Sequence, residues 1–371
     1  MRGVCHGIIS AARSGRRIVA EGQRLLITGG CGFIGSHFVR LLRRERPHWR
    51  LINVDKLTYA GNLDNLTDGE SVGDAEHYRF VRADIADAQT IAALFAAESI
   101  TAVINLAAET HVDRSLLDSA PFLRTNVEGT RVLLEAARQH GVKRFLQVST
   151  DEVYGSLDPQ DLPCTERSLL QPNSPYAASK AAADLLARAY HRSYDVPVVI
   201  TRCGNNYGPY QYPEKFLPLF ITNALEDQPL PLYGDGQQIR DWIHVEDHAQ
   251  ALLCVLESGT PGEIYNIGAS QERTNQQMAE WLLDLVKKPR SLIRYVADRP
   301  GHDRRYALDT TKIRTELGWQ LSIPFEAGLE TTVAWYQEHR SWWTQIKSGA
   351  YRSYYRQWYG QSLAQVGKET S

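Results

Sequence analysis

A tyrosine and a lysine four residues apart, Tyr176 and Lys180 in Tyr-Ala-Ala-Ser-Lys, would share one face of a helix. The preceding Ser174-Pro175 reads as the cap and first residue of that helix. A free phenol has a pKa of about 10, and a nearby ammonium favours phenolate, so Tyr176 can take a proton from an alcohol as hydride leaves. Upstream, Ser149-Thr-Asp-Glu-Val-Tyr-Gly155 offers the hydroxyl of Thr150 and two adjacent carboxylates, Asp151 and Glu152. Hydride chemistry at one alcohol needs only the Tyr-Lys pair and a hydroxyl. An added acid and base imply that protons also move at carbon. Each feature also has a plain structural reading: Tyr and Lys on a surface helix, Asp151-Glu152 as a solvated pair or helix cap. Tyr154 and Gly155 read as packing and turn residues.

A second motif supplies a partner for that chemistry. Residues 24–28 read as a strand running into Gly29-Gly30-Cys31-Gly32-Phe33-Ile34-Gly35 and then a helix. Gly29, Gly32 and Gly35 permit a tight turn, close approach of backbone to a pyrophosphate, and close packing of helix on strand. Asp55 ends the next strand, 20 residues after Gly35, where a carboxylate accepts from the ribose hydroxyls of NAD rather than NADP. The alternatives are glycines that serve only a turn and an Asp55 that caps a helix.

The elements that must position these groups follow from the pattern of the chain. Strand candidates at 24–28, 50–55, 78–82, 101–106, 143–149 and 197–202 alternate with amphipathic stretches, including 35–46, 87–98 and 128–140. That alternation predicts a Rossmann-type doubly wound parallel sheet, helices on both faces, over residues 24–202. The carboxyl ends of its strands face the ligand crevice, which places 149–155 against a substrate. After Arg202 the alternation fails. Pro209, Pro213, Pro218, Pro229 and Pro231 punctuate a loop-rich stretch with helices expected at 245–258, 275–287 and 324–339. Residues 203–360 therefore read mainly as a smaller, mixed α/β substrate-binding lobe with a discontinuous boundary, some of whose segments return to the Rossmann domain. The aromatic run Trp335, Tyr336, Trp342, Trp343, Tyr351, Tyr354, Tyr355, Trp358 and Tyr359 reads as packing of a C-terminal helix and its tail.

Composition excludes several classes. In 371 residues, 41 Lys and Arg stand against 43 Asp and Glu, without the positive field that draws a domain onto nucleic acid. The longest apolar runs fall short of the roughly 20 residues of a membrane helix. Five scattered cysteines, Cys5, Cys31, Cys164, Cys203 and Cys254, show no CxxC or zinc spacing and read as reduced thiols of a cytoplasmic protein, with no metal site. Residues 1–23 read as a flexible leader and 361–371 as a tail.

Together these segments resemble the dTDP-glucose 4,6-dehydratases, extended short-chain dehydrogenases/reductases, from about Arg24 to about Gly360. The likeness is carried by Ile27–Gly35, Val54–Leu63, Ala107–Ser115, Ser149–Gly155, Ser174–Lys180, Asn205–Pro209, Pro213–Pro218, Arg240-Asp-Trp and Asp298–Tyr306. The most specific parts are the Asp-Glu pair and Arg-Pro-Gly-His-Asp-Arg-Arg. The resemblance implies NAD-dependent conversion of dTDP-glucose to its 4-keto-6-deoxy product. Tyr176 would be the base at C4 with Thr150 touching the hydroxyl, Glu152 the base at C5, and Asp151 the acid at the C6 hydroxyl.

It also implies that NAD, tightly bound, meets Phe33, Ile34, Asp55, Lys56, Leu57, Thr58, Asp84, Ile85, Leu106, Ala107, Ala108, Thr110, Thr125, Tyr176, Lys180 and Asn206. The sugar nucleotide would meet Thr110, Thr150, Tyr176, Asn205, Lys215, Leu217, Pro218, Pro231, Tyr233, Arg240, Asn266, Arg299 and His302. The forked guanidinium donors of Arg240 and Arg299 suit a pyrophosphate in their own right. A homodimer through 128–140 and 177–194 is implied as well. The departures are Cys31 for a frequent Ala, Thr110 for a frequent Ser, and Gly204 for the usual Ser. The rival readings are a UDP- or CDP-hexose 4,6-dehydratase, a nucleotide-sugar 4-epimerase, which has no use for Asp151 and Glu152, and a non-catalytic NAD-sensing protein.

Overall fold

The computed structural model describes residues 22–67, 76–348, 351, 355, 358 and 359. Its strands, in chain order, are β1 (Arg24–Thr28), β2 (Arg50–Asp55), β3 (Tyr78–Arg82), β4 (Ala102–Asn105), β5 (Arg144–Thr150), β6 (Val198–Cys203), β7 (Asn205–Tyr207), β8 (Leu230–Tyr233), β9 (Ile239–His244), β10 (Ile264–Ile267), β11 (Glu272–Thr274) and β12 (Ile293–Val296). Seven of them pair in the order β10-β6-β5-β4-β1-β2-β3, every pairing parallel. The order reverses at β1 and β4, the switch point where a doubly wound sheet opens its crevice.

Strand side chains alternate between faces, and both faces here are covered. Leu25 and Ile27 join a core with Phe38 and Leu42 of the helix Phe33–Glu45 and with Leu252 and Val255 of the helix Val245–Ser258. Leu26 points the other way, into a core with Leu94, Leu133 and Ala187 from the helices Ala88–Glu98, Thr130–Gln139 and Pro175–Tyr194. A strand buried on both sides reads as a continuous apolar run.

Two assignments differ from the sequence expectation. The helix Val245–Ser258, expected in the lobe, packs on the main sheet, and β10 returns after it as the seventh parallel strand. β10 is only four residues long and carries Asn266, too short a run for its periodicity to declare it. In addition, a wide turn of π-helix, Leu123–Gly129, precedes Thr130–Gln139, where the sequence suggested one helix from 128. Such turns gather at functional sites, and Thr125 within this one faces the cleft.

The remainder forms the lobe: the sheet β11-β9-β7 and the pair β12-β8 enclose a core of Tyr207, Phe220, Trp242, Leu282, Phe325 and Tyr336. The C-terminal aromatics belong to it. Trp343 is fully buried and its indole donates to the Tyr336 carbonyl at 2.8 Å. Tyr354 lies outside the described residues. No described helix is long and apolar enough to cross a membrane.

Candidate active site

The glycine turn is built for a ligand's phosphates. Gly29 has φ +72°, and a Cβ there would sit 2.7 Å from the Ala107 nitrogen. At Gly35 a Cβ would come within 2.1 Å of the Gly29 carbonyl oxygen, so the helix rests directly on the turn. That helix starts with no side-chain cap and no acid in its first turn, leaving its N–H groups and positive end for an anion. Asp55, at the end of β2, accepts from the backbone N–H of Cys31 at 3.0 Å and of Leu57 at 2.8 Å. Burial pushes this carboxyl up against the pull of those two bonds, and each oxygen keeps a lone pair for a ribose hydroxyl. At the end of β3, burial would raise Asp84, but Lys56 at 2.9 Å and the Ala86 N–H hold it below its ordinary value. The donors, the open turn and the acid fit a dinucleotide. Cys31 does not intrude: its thiol accepts from the Asn53 amide at 3.5 Å, and burial lifts it to about 12.

One cleft carries these groups to the reactive residues. Its walls include Gly29, Phe33, Asp55, Thr58, Asp84 and Ile85 at one end, Leu106 to Thr110 and Thr125 in the middle, and Thr150, Asp151, Glu152, Tyr176, Lys180, Asn205, Asn206 and Lys215 at the other. Ser174 caps the helix Pro175–Tyr194 through a 3.1 Å bond from the Ala177 N–H, which sets the phase that points Tyr176 and Lys180 inward. Gly155 ends the Asp151–Tyr154 turn with φ +83° and Tyr154 packs behind it, as the sequence suggested.

The electrostatics separate the two carboxyls. Asp151 is 3% exposed, and its Oδ2 has no hydrogen-bond partner among the described residues. Burial and the neighbouring Glu152 drive it well above the usual carboxylate range, with Arg240 opposing, which favours its protonated form. Glu152 is also raised by burial, but Arg299, Lys215 and Arg240 all pull the other way. Two carboxyls pushed apart in this manner can serve as an acid and a base.

The Tyr-Lys pair departs from expectation. Lys180 donates to the Val148 carbonyl at 2.7 Å, and burial pulls its ammonium down. Tyr176 bonds to Thr150, yet burial and then Glu152 hold its phenol well above 10. At rest this is a protonated phenol, because desolvation and the neighbouring carboxyls outweigh the Thr150 hydroxyl.

On the sugar side, the three cations converge on Glu152, but not all expected contacts face the cleft. Arg240 spends donors on the carbonyls of Ile239 at 2.7 Å and Asp303 at 3.0 Å while stacking on Tyr306. The His302 imidazole N–H donates to the Asp298 carboxylate at 2.6 Å beside the Tyr233 ring. Leu217 and Pro218 are buried in the lobe helix Phe216–Leu225 and Pro231 in β8, and none of the three lines the wall of this cleft. Leu57 enters through its backbone bond to Asp55. Asn266 must be reassigned: it is 0% exposed, and its amide is consumed by the Tyr154 hydroxyl and the carbonyls of Cys164 and Asp309.

Sequence reasoning passed over Tyr59, Glu109, Gln211, Tyr212 and Glu214, all on the cleft wall. Tyr59 meets Tyr212 at 5.4 Å and lies under the Arg114 guanidinium, which pairs with Glu214 at 2.8 Å. An aromatic pair and an ion pair between segments 100 residues or more apart leave no local signal.

The GDP-mannose 4,6 dehydratase family model matches residues 26–332. A dTDP-glucose 4,6-dehydratase of Streptomyces niveus is 51% identical over 330 residues, 88% of this chain and 96% of that one. The dTDP-glucose 4,6-dehydratase 1 of Escherichia coli K12 is 48% identical over 361 residues, 91% and 99% of the two chains. The crystal structure of DesIV, the dTDP-glucose 4,6-dehydratase of Streptomyces venezuelae, with NAD bound, superposes with a TM-score of 0.84 at 51% identity, covering 88% of this chain and all of that one. A UDP-glucose 4-epimerase of Thermotoga maritima stands further off, at 30% identity and 0.78, covering 85% and 99%. With a family model over most of its length, and relatives half identical to it that share the Asp-Glu pair's expected chemistry in name, the chain belongs to the dTDP-glucose 4,6-dehydratase family.

Proposed function

We propose that this protein is an NAD-dependent hydro-lyase that converts dTDP-glucose to dTDP-4-keto-6-deoxyglucose for deoxysugar synthesis. The observation that carries the proposal is the buried Asp151-Glu152 pair beside Tyr176, one carboxyl favoured in its protonated form and the other ringed by cations. A 4-epimerase of the same fold has no step for either.

The Gly29–Gly35 turn, Asp55, Asp84 and the middle of the cleft would hold the cofactor. When bound, NAD supplies a hydride acceptor, later a hydride donor, and a ring charge that favours the Tyr176 phenolate. Tyr176 takes the proton of the C4 hydroxyl, which the Thr150 hydroxyl would touch. The resulting C4 ketone acidifies the C5 hydrogen. Glu152 removes that proton, and Asp151 gives its own to the C6 hydroxyl, which leaves as water. Each placed acid or base is worth roughly 10²–10⁴ in rate. Lys215, Arg240 and Arg299 would meet the diphosphate, whose charge matches theirs.

A cytoplasmic homodimer is part of the reading. Its support is the family likeness, together with Leu185 and Tyr194, exposed by 57% and 55% on the helix Pro175–Tyr194, one of the two expected at the dimer face. Light scattering at micromolar concentration should give twice the chain mass, and monomer alone would refute it. For the reaction, turnover of dTDP-, UDP- and CDP-glucose is compared side by side, reading the alkali chromophore of a 4-keto-6-deoxy sugar. Preference for dTDP-glucose with chromophore is expected; an epimerised hexose without chromophore would overturn the assignment.

A further inference from the structure

We infer that Asp113 is a positioning residue for the diphosphate of the substrate, acting through Arg299 and Tyr233; this rests on the sugar-nucleotide reading above. Asp113 lies on the short helix Val112–Leu117 that follows β4, on the cofactor side of the cleft, and is 4% exposed. Two partners from the lobe meet its carboxylate. Its Oδ2 accepts from the Tyr233 hydroxyl at 3.0 Å, and its Oδ1 lies 3.5 Å from Nη1 of Arg299. Tyr233 in turn meets the Tyr359 hydroxyl at 3.2 Å and receives the Trp358 indole N–H. One buried carboxylate therefore ties the C-terminal aromatic segment and the loop bearing Arg299 to the first half of the chain.

The geometry leaves Arg299 tethered but not spent. Its Nη1 makes no hydrogen bond among the described residues, and the side chain is 12% exposed. A guanidinium held by charge alone keeps its fork free for a second, better-shaped anion. Arg299 also feels Glu152, the proposed base. With Asp113 in place the cation has an anchor away from that base, so it need not collapse onto Glu152 before substrate arrives. Preorganisation of this kind shows in binding, because the cost of ordering Arg299 is met before the ligand comes.

The test uses the NAD-loaded enzyme and reads kcat, KM for dTDP-glucose, and inhibition constants for dTDP and for thymidine, which lacks phosphate. Asp113→Asn should raise KM and weaken dTDP by about tenfold, a 1.4 kcal/mol loss, while leaving kcat and thymidine inhibition within about twofold. Asp113→Ser, which also removes the charge and leaves an acceptor for Tyr233, should do the same and serves if Asn does not fold. Equal weakening of dTDP and thymidine would mean a merely structural role. An unchanged dTDP constant would also overturn the inference. Failure of the unaltered enzyme to bind dTDP at all would instead strike the substrate reading.

Discussion

The Thr150 hydroxyl donates to the Asp151 carboxyl at 3.2 Å while the other oxygen of that carboxyl, buried, has no hydrogen-bond partner among the described residues. An acid so placed is poised to give up a proton at a site water does not reach. Asp151→Asn, which cannot give it, should lower kcat for dehydration by about 10²–10⁴. The C4 oxidation should survive, read as NADH absorbance after mixing with dTDP-glucose. A variant with wild-type turnover would remove Asp151 from the reaction.

Glu152→Gln should stop at the same stage for a different reason, since no base remains for the C5 proton. NADH absorbance should rise and persist. Tyr176→Phe should prevent even that first rise. Normal NADH formation in Tyr176→Phe would take the phenol out of the mechanism.

The pH dependence has a definite sense. Glu152 must be ionised and Asp151 protonated. Burial raises both, but three cations restrain Glu152, whereas Asp151 has Glu152 against it and chiefly Arg240 in relief. As pH rises, Glu152 loses its proton first and activity climbs, in a limb above the ordinary 4.5. Activity then falls as Asp151 ionises. The plot of kcat/KM against pH should be bell-shaped, its limbs belonging to the pair because the two carboxyls are neighbours. Asp151→Asn should lose the alkaline limb; retention of that limb would assign it elsewhere.

Gly29→Ala should release NAD. The backbone there has φ +72°, and the new Cβ would strike the Ala107 backbone at 2.7 Å, which cannot swing aside like a side chain. The fraction of NAD that co-purifies, read from the absorbance of the denatured supernatant, should drop severalfold. Full retention would mean that the turn is not the phosphate cradle.

Asp184 of the helix Pro175–Tyr194 pairs with Arg202 of β6 at 2.9 Å, their side chains 1% and 4% exposed. Removing one member leaves an uncompensated buried charge, so Asp184→Ala should cost about 3–5 kcal/mol of stability. Urea unfolding monitored by tryptophan fluorescence measures it. A cost below about 1 kcal/mol would show that the interior relaxes around Arg202.

Much of the fold and of the catalytic set is local in origin and was open to reading from residue order. The glycine turn, Ser174-Pro175 and the Tyr176–Lys180 spacing act within a few residues, and five-to-seven-residue β-branched runs mark six of the seven main strands. The adjacent Asp151 and Glu152 announced an acid and a base because their types and their place at a strand's end carry that meaning. Local order could not say which would keep its proton. That depends on Arg299, Lys215 and Arg240 arriving from 60 to 150 residues away, and on the depth at which each oxygen lies. Nor could it show Lys180 turned to the Val148 carbonyl, Asn266 consumed by Tyr154 and Cys164, β10 closing the sheet from within the lobe, or Asp113 reaching across to Tyr233 and Arg299. Those are facts of packing: desolvation and long-range partners exist only once the chain has brought distant segments together, so tertiary structure alone assigns the charges that the sequence merely lists.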